Sequence, residues 1–309
     1  MFSIIFPGQG SQTVGMAKEF YEKFTMVKDL FSRADNALGY NLSKIILNGT
    51  DAEIKLTENT QPAIFVASYS IFSVMEKEFK IDLKKASYFA GHSLGEYSAL
   101  ACANAIDFED AVCLLNKRGK SMQDAVPSGE GSMIAILGKN IKEVEKILSE
   151  NVHYKSCQIA NDNCPGQVVI SGPIDPINKL KFFLKENSIK NVTLPVSAPF
   201  HCSLMKKSTE DMKKHINDTN FRKPNPKIIS NVTASEKDDE HEIKKLLVQQ
   251  IENRVRWRES IEYMIKNNIN EFVEIGPGKV LTGLVKRINK VVKVFNINSI
   301  DDITNYINR

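Results

Sequence analysis

One short segment of the sequence has the residue types and spacing of a serine nucleophile. Residues 91–95 read Gly-His-Ser-Leu-Gly, which matches the pattern Gly-x-Ser-x-Gly. A strand is predicted over residues 87–90 and a helix from Glu96 onward, so the motif falls on a strand-to-helix turn. On such a turn the two glycines remove Cβ atoms that would collide, and the serine hydroxyl is left exposed. The pattern therefore predicts Ser93 as a nucleophile, with Leu94 at a helix start whose free N–H groups face the reacting oxygen.

A serine nucleophile needs a general base, and the sequence contains five histidines. Three of them lie in the small inserted domain predicted below or in polar stretches, and His92 is adjacent to the serine, where neighbouring side chains on a tight turn diverge. His201 stands beside apolar residues in the segment 196–202. We predict that His201 is the base, as a neutral imidazole that takes the Ser93 proton. No aspartate or glutamate between the two residues has a pattern that would complete a triad.

Two glycine-rich loops are similar to nucleotide-binding motifs but do not complete them. Residues 8–13 read Gly-Gln-Gly-Ser-Gln-Thr, whereas a dinucleotide-binding fingerprint needs glycine in place of Thr13. Residues 276–279 read Gly-Pro-Gly-Lys, but a phosphate-binding loop needs glycine at Val273 and serine or threonine at Val280. A dinucleotide-dependent oxidoreductase is therefore an alternative that only a broken motif supports.

The elements that carry these motifs follow the alternation of an α/β fold. The sequence pattern changes over residues 125–197, where the predicted order is strand, helix, strand, strand, helix, strand. This order predicts a small inserted ferredoxin-like domain. Its strands are predicted at residues 132–137, 154–160, 167–171 and 192–196. Residues 1–124 and 198–309 are predicted to form one large α/β-hydrolase-like domain with a parallel sheet. Its predicted strands cover residues 3–6, 87–90, 272–275 and 292–297, and its predicted helices include residues 16–38, 60–79, 108–125 and 279–289.

Composition excludes several classes of protein. The 309 residues are 42% hydrophobic and carry a formal net charge of +4, with no dense basic run, so a nucleic-acid binder is not expected. The longest uncharged stretch, residues 59–75, contains several polar residues and predicts a buried helix rather than a membrane span. Residues 1–6 read as a strand and not as a signal peptide. The five cysteines include no Cys-x-x-Cys pair, which argues against disulfides and zinc and favours a reducing cytoplasm.

At this level of detail the chain resembles a known family, the malonyl-CoA:acyl carrier protein transacylases of fatty acid synthesis. The resemblance covers essentially the whole chain. It is carried by residues 6–16, residues 90–100, Arg118-Gly119 with Met122, residues 165–170, residues 196–202, Asn231-Val232 and residues 274–283.

The resemblance implies a role for each part of the catalytic machinery. Ser93 would be the acylated nucleophile and His201 its base. Gln9, in the first glycine loop, and Leu94 would offer backbone N–H groups as an oxyanion hole. In this family the histidine is oriented by a main-chain or amide carbonyl near Gln250 and not by a carboxylate, which would account for the missing acid.

The resemblance also implies the residues that bind substrate. Arg118 would bind the free carboxylate of the malonyl group. Phe200, before the histidine, is similar to the malonyl-selective pattern of related acyltransferases, whereas the methylmalonyl-selective pattern has serine there. Met122 would contribute to the pocket, and Asn161 and Asn231 would either line the pocket or support it from behind.

The implied reaction transfers malonyl from malonyl-CoA to the phosphopantetheine thiol of acyl carrier protein, a small acidic protein, through a malonyl-serine ester. It requires no metal, nucleotide or redox cofactor, and the enzyme is expected to be a freestanding monomer that binds neither membrane nor nucleic acid. The closest alternative is a serine hydrolase or thioesterase of the same fold, which would share Ser93 and His201 but would not need a buried arginine. A binding module that has lost its chemistry is the other alternative.

Overall fold

The computed structural model describes residues 1–196 and 198–309. The predicted end of the small domain, Ser197, lies outside the described residues. Across the described ranges, the strands form two separate sheets of six and four strands. No helix in these ranges is long and apolar enough to cross a membrane. The chain has the predicted α/β class, with a mostly parallel mixed sheet and a separate antiparallel sheet.

The larger sheet brings the two predicted active-site loops together. Its strands are β1 (Phe2–Phe6), β2 (Tyr88–Gly91), β7 (Lys227–Ile229), β8 (Glu236–Lys237), β9 (Glu271–Ile275) and β10 (Lys293–Ile297). The order is β10-β9-β1-β2-β7-β8, and every neighbouring pair is parallel except β7 with β8. Because β1 and β2 are parallel and Phe6 pairs with Gly91, the first glycine loop and the serine turn leave the same edge of the sheet side by side.

The smaller sheet is antiparallel throughout, in the order β4-β5-β3-β6. Its strands are β3 (Gly131–Leu137), β4 (Gln158–Cys164), β5 (Gln167–Pro173) and β6 (Asn191–Thr193), and its helices are α8 (Ile141–Ser149) and α9 (Ile174–Glu186). The predicted alternation of strands and helices is therefore found.

The position predicted for the second of these strands, residues 154–160, is wrong. Residues Val152–Tyr154 form a 3₁₀ turn, and the Cys157 N–H donates to the Tyr154 carbonyl at 2.8 Å, so the chain is still turning there. β4 begins at Gln158 and continues through polar residues that the hydrophobic pattern did not mark. These residues contact the larger part of the chain: the Asp162 N–H donates to the Val255 carbonyl at 3.0 Å, and the Asp162 carboxylate binds Arg258 at 2.8 Å.

Helices cover both faces of the larger sheet. Ile4 and Phe6 belong to one cluster of buried apolar side chains and Ile5 to another, as expected where alternate residues of a strand point to opposite faces. A third cluster lies within the smaller sheet and its helices. The remaining helices are α1 (Lys18–Lys23), α2 (Thr25–Leu38), α3 (Leu42–Asn48), α4 (Asp51–Lys55), α5 (Thr57–Lys77), α6 (Gly95–Cys102), α7 (Phe108–Asp124), α10 (Lys206–Asp218), α11 (Glu240–Gln250), α12 (Trp257–Lys266), α13 (Val280–Ile288) and α14 (Ile300–Ile307).

Two helix predictions differ in detail from the structure. The helix predicted over residues 16–38 is divided into α1 and α2 because Phe24 is extended, with φ −117° and ψ 119°. The next long helix, α5, begins at Thr57 and not at residue 60, so Pro62 lies inside it. The proline has no N–H to give to the Glu58 carbonyl, and the Asn116 side chain donates to that oxygen instead at 3.0 Å.

The start of α5 also packs closely against α7. A Cβ on Gly119 would lie 2.4 Å from the Thr57 carbonyl oxygen, so only glycine permits this packing. The approach brings Arg118, on α7, within hydrogen-bond distance of Gln61 on α5.

Candidate active site

The Gly-x-Ser-x-Gly segment forms a strained turn between β2 and α6. Ser93 has a φ of +54°, a left-handed conformation that is uncommon for a residue with a side chain. A Cβ on Gly91 would lie 1.9 Å from the backbone of Gly95, and a Cβ on Gly95 would lie 2.4 Å from the Phe6 carbonyl oxygen. Both glycines are therefore required, because the backbone segments here approach too closely for a side chain. The turn leaves the Ser93 hydroxyl facing a cavity between the two sheets.

Asn231 holds this turn from behind. Its side-chain oxygen accepts a hydrogen bond from the Ser93 N–H at 2.7 Å, and its side-chain nitrogen donates to the Gly91 carbonyl at 2.7 Å. Its own backbone N–H donates to Glu96 Oε2 at 3.0 Å. Asn231 is not among the described residues that line the cavity, so of its two predicted positions it takes the one behind the pocket. Its hydrogen bonds keep the strained serine in place.

His201 lies on the other side of the serine hydroxyl. Its Nε2 is 2.8 Å from Ser93 Oγ, and its Nδ1 is 2.8 Å from the main-chain oxygen of Gln250. Since a carbonyl oxygen only accepts, Nδ1 must carry the proton, and Nε2 is then free to accept the serine proton. The expected carbonyl near Gln250 is therefore the atom that orients the ring.

The environment of His201 keeps the imidazole neutral. Burial, together with the nearby Arg118 charge, lowers the pKa of His201 to about 3, far below the ordinary value of 6.5. The side chain is only 4% exposed. A base that is already neutral at physiological pH is ready to accept a proton without first losing one.

The low pKa predicts an unusual pH profile for the reaction of Ser93. Activity requires neutral His201 and is lost as pH falls through its pKa, so we expect the acid limb of kcat/KM to lie below pH 5 instead of near 6.5. Stopped-flow measurement of the Ser93 reaction between pH 4.5 and 8, with circular dichroism to verify folding, should show no acid limb centred near 6.5. A midpoint between 6 and 7 that persists in Glu96→Gln, which lacks the other nearby group titrating near pH 7, would contradict this assignment.

Arg118 is a buried cation aimed at the same serine. It is 1% exposed, and burial lowers the pKa of its guanidinium, which nevertheless stays charged. One terminal nitrogen donates to Gln61 Oε1 at 2.7 Å, and the other donates to Gln250 Oε1 at 2.9 Å and to Ser93 Oγ at 3.1 Å. Among the described residues, none accepts a hydrogen bond from Arg118 Nε. Its neighbours in sequence, Lys117 and Lys120, are exposed.

The cavity in front of Ser93 has a volume of about 180 Å³. It lies where the loops of the larger sheet meet the smaller sheet. Met122 and Phe200 are apolar walls that are 1% and 7% exposed, and Asn161 reaches the cavity from β4. The lining residues are Gln9, Gly10, Gln12, Lys55, Gln61, His92, Ser93, Arg118, Met122, Met133, Asn161, Leu194, Pro195, Val196, Phe200 and His201.

The residues predicted for the oxyanion hole lie on adjacent backbone segments. Leu94 is the N-cap of α6, where backbone N–H groups have no partner inside the helix. Gln9 lines the cavity on the loop after β1, and that loop is braced by two short-range hydrogen bonds. The Ser11 hydroxyl donates to the Gly8 carbonyl at 2.8 Å, and the Gly10 N–H donates to the Gln12 side chain at 2.7 Å.

His92 is directed away from the proton transfer, as predicted. Its Nε2 is 2.9 Å from Asn163 Oδ1 on β4, and its ring packs 5.6 Å from that of Trp257. The residue therefore ties the serine turn to the smaller sheet. No group of three or more His, Cys, Asp or Glu residues in the described ranges is arranged to hold a metal ion.

Two buried polar residues of the site, Gln61 and Glu96, were not predicted from the sequence. Gln61 lies in a mostly apolar helix, and a buried amide at such a position was a signal that something polar must face it. Glu96 directly follows the serine motif, is 1% exposed, and accepts hydrogen bonds from the Asn231 N–H and from Gln250 Nε2. Burial raises the pKa of Glu96 to about 7.

Comparison with known proteins agrees with this architecture. The family described as acyl transferase domain matches residues 3–300, which is nearly the whole chain. The match defines the class of the protein as an acyl transferase domain.

Individual relatives narrow the class. A malonyl CoA-acyl carrier protein transacylase of Bacillus subtilis (strain 168) is 42% identical over 303 residues, covering 97% of this chain and 94% of that protein. The crystal structure of an acyl-carrier-protein S-malonyltransferase from Bartonella henselae has 41% identity and a TM-score of 0.95, covering 99% of this chain and 98% of that one. A malonyl-transacylase solved in complex with a type II PKS acyl-carrier protein has 36% identity and a TM-score of 0.94, covering 99% of both chains. The chain belongs to the malonyl CoA-acyl carrier protein transacylase family.

Proposed function

We infer that the protein transfers a malonyl group from malonyl-CoA to the phosphopantetheine thiol of acyl carrier protein through a malonyl ester of Ser93. The observation that carries this inference is the convergence of two groups on one nucleophilic oxygen. Ser93 Oγ is 2.8 Å from His201 Nε2 and 3.1 Å from a terminal nitrogen of Arg118. A base and a cation for a carboxylate thus converge on one nucleophile.

The first half-reaction loads the enzyme. Ser93 Oγ attacks the thioester carbon of malonyl-CoA while its proton moves to His201 Nε2. The N–H groups of Gln9 and Leu94 stabilise the oxyanion, a contribution that is typically worth about 10²–10³ in rate. The intermediate then collapses, the carbon–sulfur bond breaks, and the CoA sulfur leaves with the proton that His201 returns.

The second half-reaction runs the same steps with a different thiol. The pantetheine thiol of the carrier gives its proton to His201, and its sulfur attacks the ester carbon. Ser93 leaves and recovers a proton from His201, which releases malonyl-carrier protein. Main-chain orientation of His201 by Gln250 suits both directions because the ring need only alternate between neutral and protonated forms.

Arg118 distinguishes malonyl from neutral acyl groups. A guanidinium can hold a carboxylate with two parallel hydrogen bonds, and Arg118 has donors directed into the cavity beside Ser93. A hydrolase acting on neutral acyl groups has no use for a buried cation there, which weighs against the thioesterase alternative.

The proposed chemistry uses only side chains and backbone N–H groups, with malonyl-CoA and CoA as substrate and product and no cofactor. We propose a monomeric, cytoplasmic enzyme whose protein partner is the acidic carrier, with no role for membrane or nucleic acid. We also propose that the larger sheet and its helices follow the α/β-hydrolase plan, and that residues 125–197 form the inserted ferredoxin-like domain.

Intact-mass measurement tests the proposed function. Incubation with malonyl-CoA should add one malonyl group to the protein, and addition of holo acyl carrier protein should remove it and yield malonyl-carrier. A hydrolase would instead release malonate into water with no stable adduct. No adduct and no turnover would indicate a binding module and would overturn the proposal.

Phe200 is expected to exclude branched acyl groups. It forms an apolar wall beside His201, so Phe200→Ser should open space for the extra methyl of methylmalonyl-CoA. One methyl group in a pocket typically changes discrimination about 10-fold or more, and we expect the methylmalonyl-to-malonyl rate ratio to rise by about that factor.

Phe221→Ser is the matched control for this substitution. Phe221 is 6% exposed, close to the 7% of Phe200, and does not line the cavity as the described residues form it. Its substitution should lower stability without changing the ratio. An unaltered protein that already uses both substrates at equal rates would refute the role assigned to Phe200.

A further inference from the structure

We propose that Glu96 is a positioning residue for acyl selectivity, because it fixes the orientation of the Gln250 side-chain amide that in turn holds Arg118. The proposal rests on the proposed function, in which Arg118 binds the malonyl carboxylate. Three buried side chains form the chain of contacts: Arg118 donates to Gln250 Oε1 at 2.9 Å, and Gln250 Nε2 donates to Glu96 Oε2 at 2.7 Å.

An amide side chain presents an acceptor at one end and a donor at the other, and either orientation fits the same space. Arginine only donates, so Gln250 must turn its oxygen toward Arg118. Its nitrogen then needs acceptors on the opposite side, and Glu96 Oε2 is the nearest, with the Ser93 carbonyl oxygen at 3.1 Å. A flipped amide would set its nitrogen against the donors of Arg118.

Glu96 Oε2 is itself fixed as an acceptor by a group that cannot flip. The backbone N–H of Asn231 donates to the same oxygen at 3.0 Å. Because this main-chain donor always points at Oε2, that oxygen stays an acceptor and the Gln250 amide has one satisfied orientation. Burial raises the pKa of Glu96 to about 7, so assays at pH 8 keep the carboxylate ionised.

Gln250 has two separate roles, one for its main chain and one for its side chain. Its main-chain oxygen orients His201, which every acyl substrate needs, whereas its side chain holds Arg118, which only a carboxylate-bearing acyl group needs. Loss of Glu96 should therefore affect malonyl transfer more than acetyl transfer. General damage to the fold would lower both rates alike.

The test measures acylation of the protein by malonyl-CoA and by acetyl-CoA at pH 8. We expect Glu96→Ala to lower the malonyl-to-acetyl rate ratio by about tenfold or more, equivalent to about 1.4 kcal/mol. Glu96→Gln should keep the ratio within about threefold, since the Asn231 N–H draws its amide oxygen into the same acceptor position. The proposal is supported if the malonyl-to-acetyl rate ratio falls in Glu96→Ala and is retained in Glu96→Gln.

Glu274→Ala is the matched control, because Glu274 is also a fully buried carboxylate that accepts two backbone N–H groups, from Leu281 and Thr282. It should lower stability and leave the ratio unchanged. If Glu96→Ala lowers both rates by one factor and so leaves the ratio unchanged, Glu96 is only structural and the proposal is overturned.

Two further variants keep the outcome decisive. If Glu96→Ala does not fold, Gln250→Met removes the same link while keeping the main-chain carbonyl for His201, and an unchanged ratio there also overturns the proposal. Arg118→Ala tests the underlying function separately. If the malonyl-to-acetyl ratio falls in Arg118→Ala but not in the Glu96 and Gln250 variants, only the role of Glu96 is refuted. If the ratio is unchanged in Arg118→Ala, the carboxylate-binding role of Arg118 is refuted.

Discussion

Ser93→Ala is expected to abolish acylation by malonyl-CoA and transfer to the carrier while leaving the fold intact. The alanine lacks the oxygen that forms the ester, and loss of a catalytic serine commonly costs about four orders of magnitude or more. The strained φ of +54° is imposed by the flanking glycines and by Asn231, and alanine leaves these features in place. Intact mass after incubation with malonyl-CoA measures the first step, and carrier malonylation measures the second.

Ser98→Ala is the control for this substitution. Ser98 lies on α6, five residues after the nucleophile, is fully buried, and its hydroxyl has no hydrogen-bond partner among the described residues. Its replacement should change neither half-reaction. A Ser93→Ala protein that still gains a malonyl group would show that another residue is the nucleophile.

The serine turn could be predicted from sequence because its cause is local. A Cβ on Gly91 would collide with the backbone of Gly95, and a Cβ on Gly95 would collide with Phe6 on the adjacent strand. Both glycines belong to one five-residue pattern that can be recognised in the sequence. His201 could be chosen by elimination among five histidines. Its carbonyl partner could not be derived, since any residue has a main-chain oxygen and only the tertiary fold brings Gln250 to Nδ1.

The polar support of the site lay beyond sequence reasoning for the same reason. Gln61 and Glu96 contact residues that are far away in the chain: Gln61 is 57 positions from Arg118, and Glu96 is 154 positions from Gln250. Neither residue type is diagnostic, because glutamine and glutamate are mostly found on protein surfaces. Their burial depends on how the helices pack in the folded protein, which the local sequence does not specify.

The fold was predictable where strands are apolar and less so where they are short or polar. β1 and β9 are parallel strands in which buried apolar residues predominate, and both were predicted to within one residue. β7 and β8 have three and two residues, too few for a pattern, and were missed. β4 was misplaced because its polar residues contact helix α12 of the larger part of the chain, where Arg258 binds the 1% exposed Asp162 at 2.8 Å.

Arg118→Ala is expected to remove malonyl selectivity while leaving Ser93 chemically competent. Without the guanidinium the malonyl carboxylate would be buried without a partner, which costs about 3–5 kcal/mol. At 1.36 kcal/mol per tenfold, this corresponds to about two to four orders of magnitude in malonyl transfer. Acetyl-CoA carries no such charge, and the site would no longer contain an unpaired cation, so acetylation should fall far less or rise.

Side-by-side acylation by malonyl-CoA and acetyl-CoA measures this effect, with Lys117→Ala as the control because that exposed lysine is adjacent on the same helix. Arg118→Lys adds a second comparison: it keeps a positive charge but not the two-pronged donor geometry, and should fall between the parent and the alanine variant. Since Arg118 also donates to Ser93 Oγ, the acetyl rate reports any loss of nucleophile activity that is independent of the carboxylate. If both rates fall by the same factor, Arg118 acts on the serine rather than on the acyl group, and malonyl selectivity must come from the shape of the cavity.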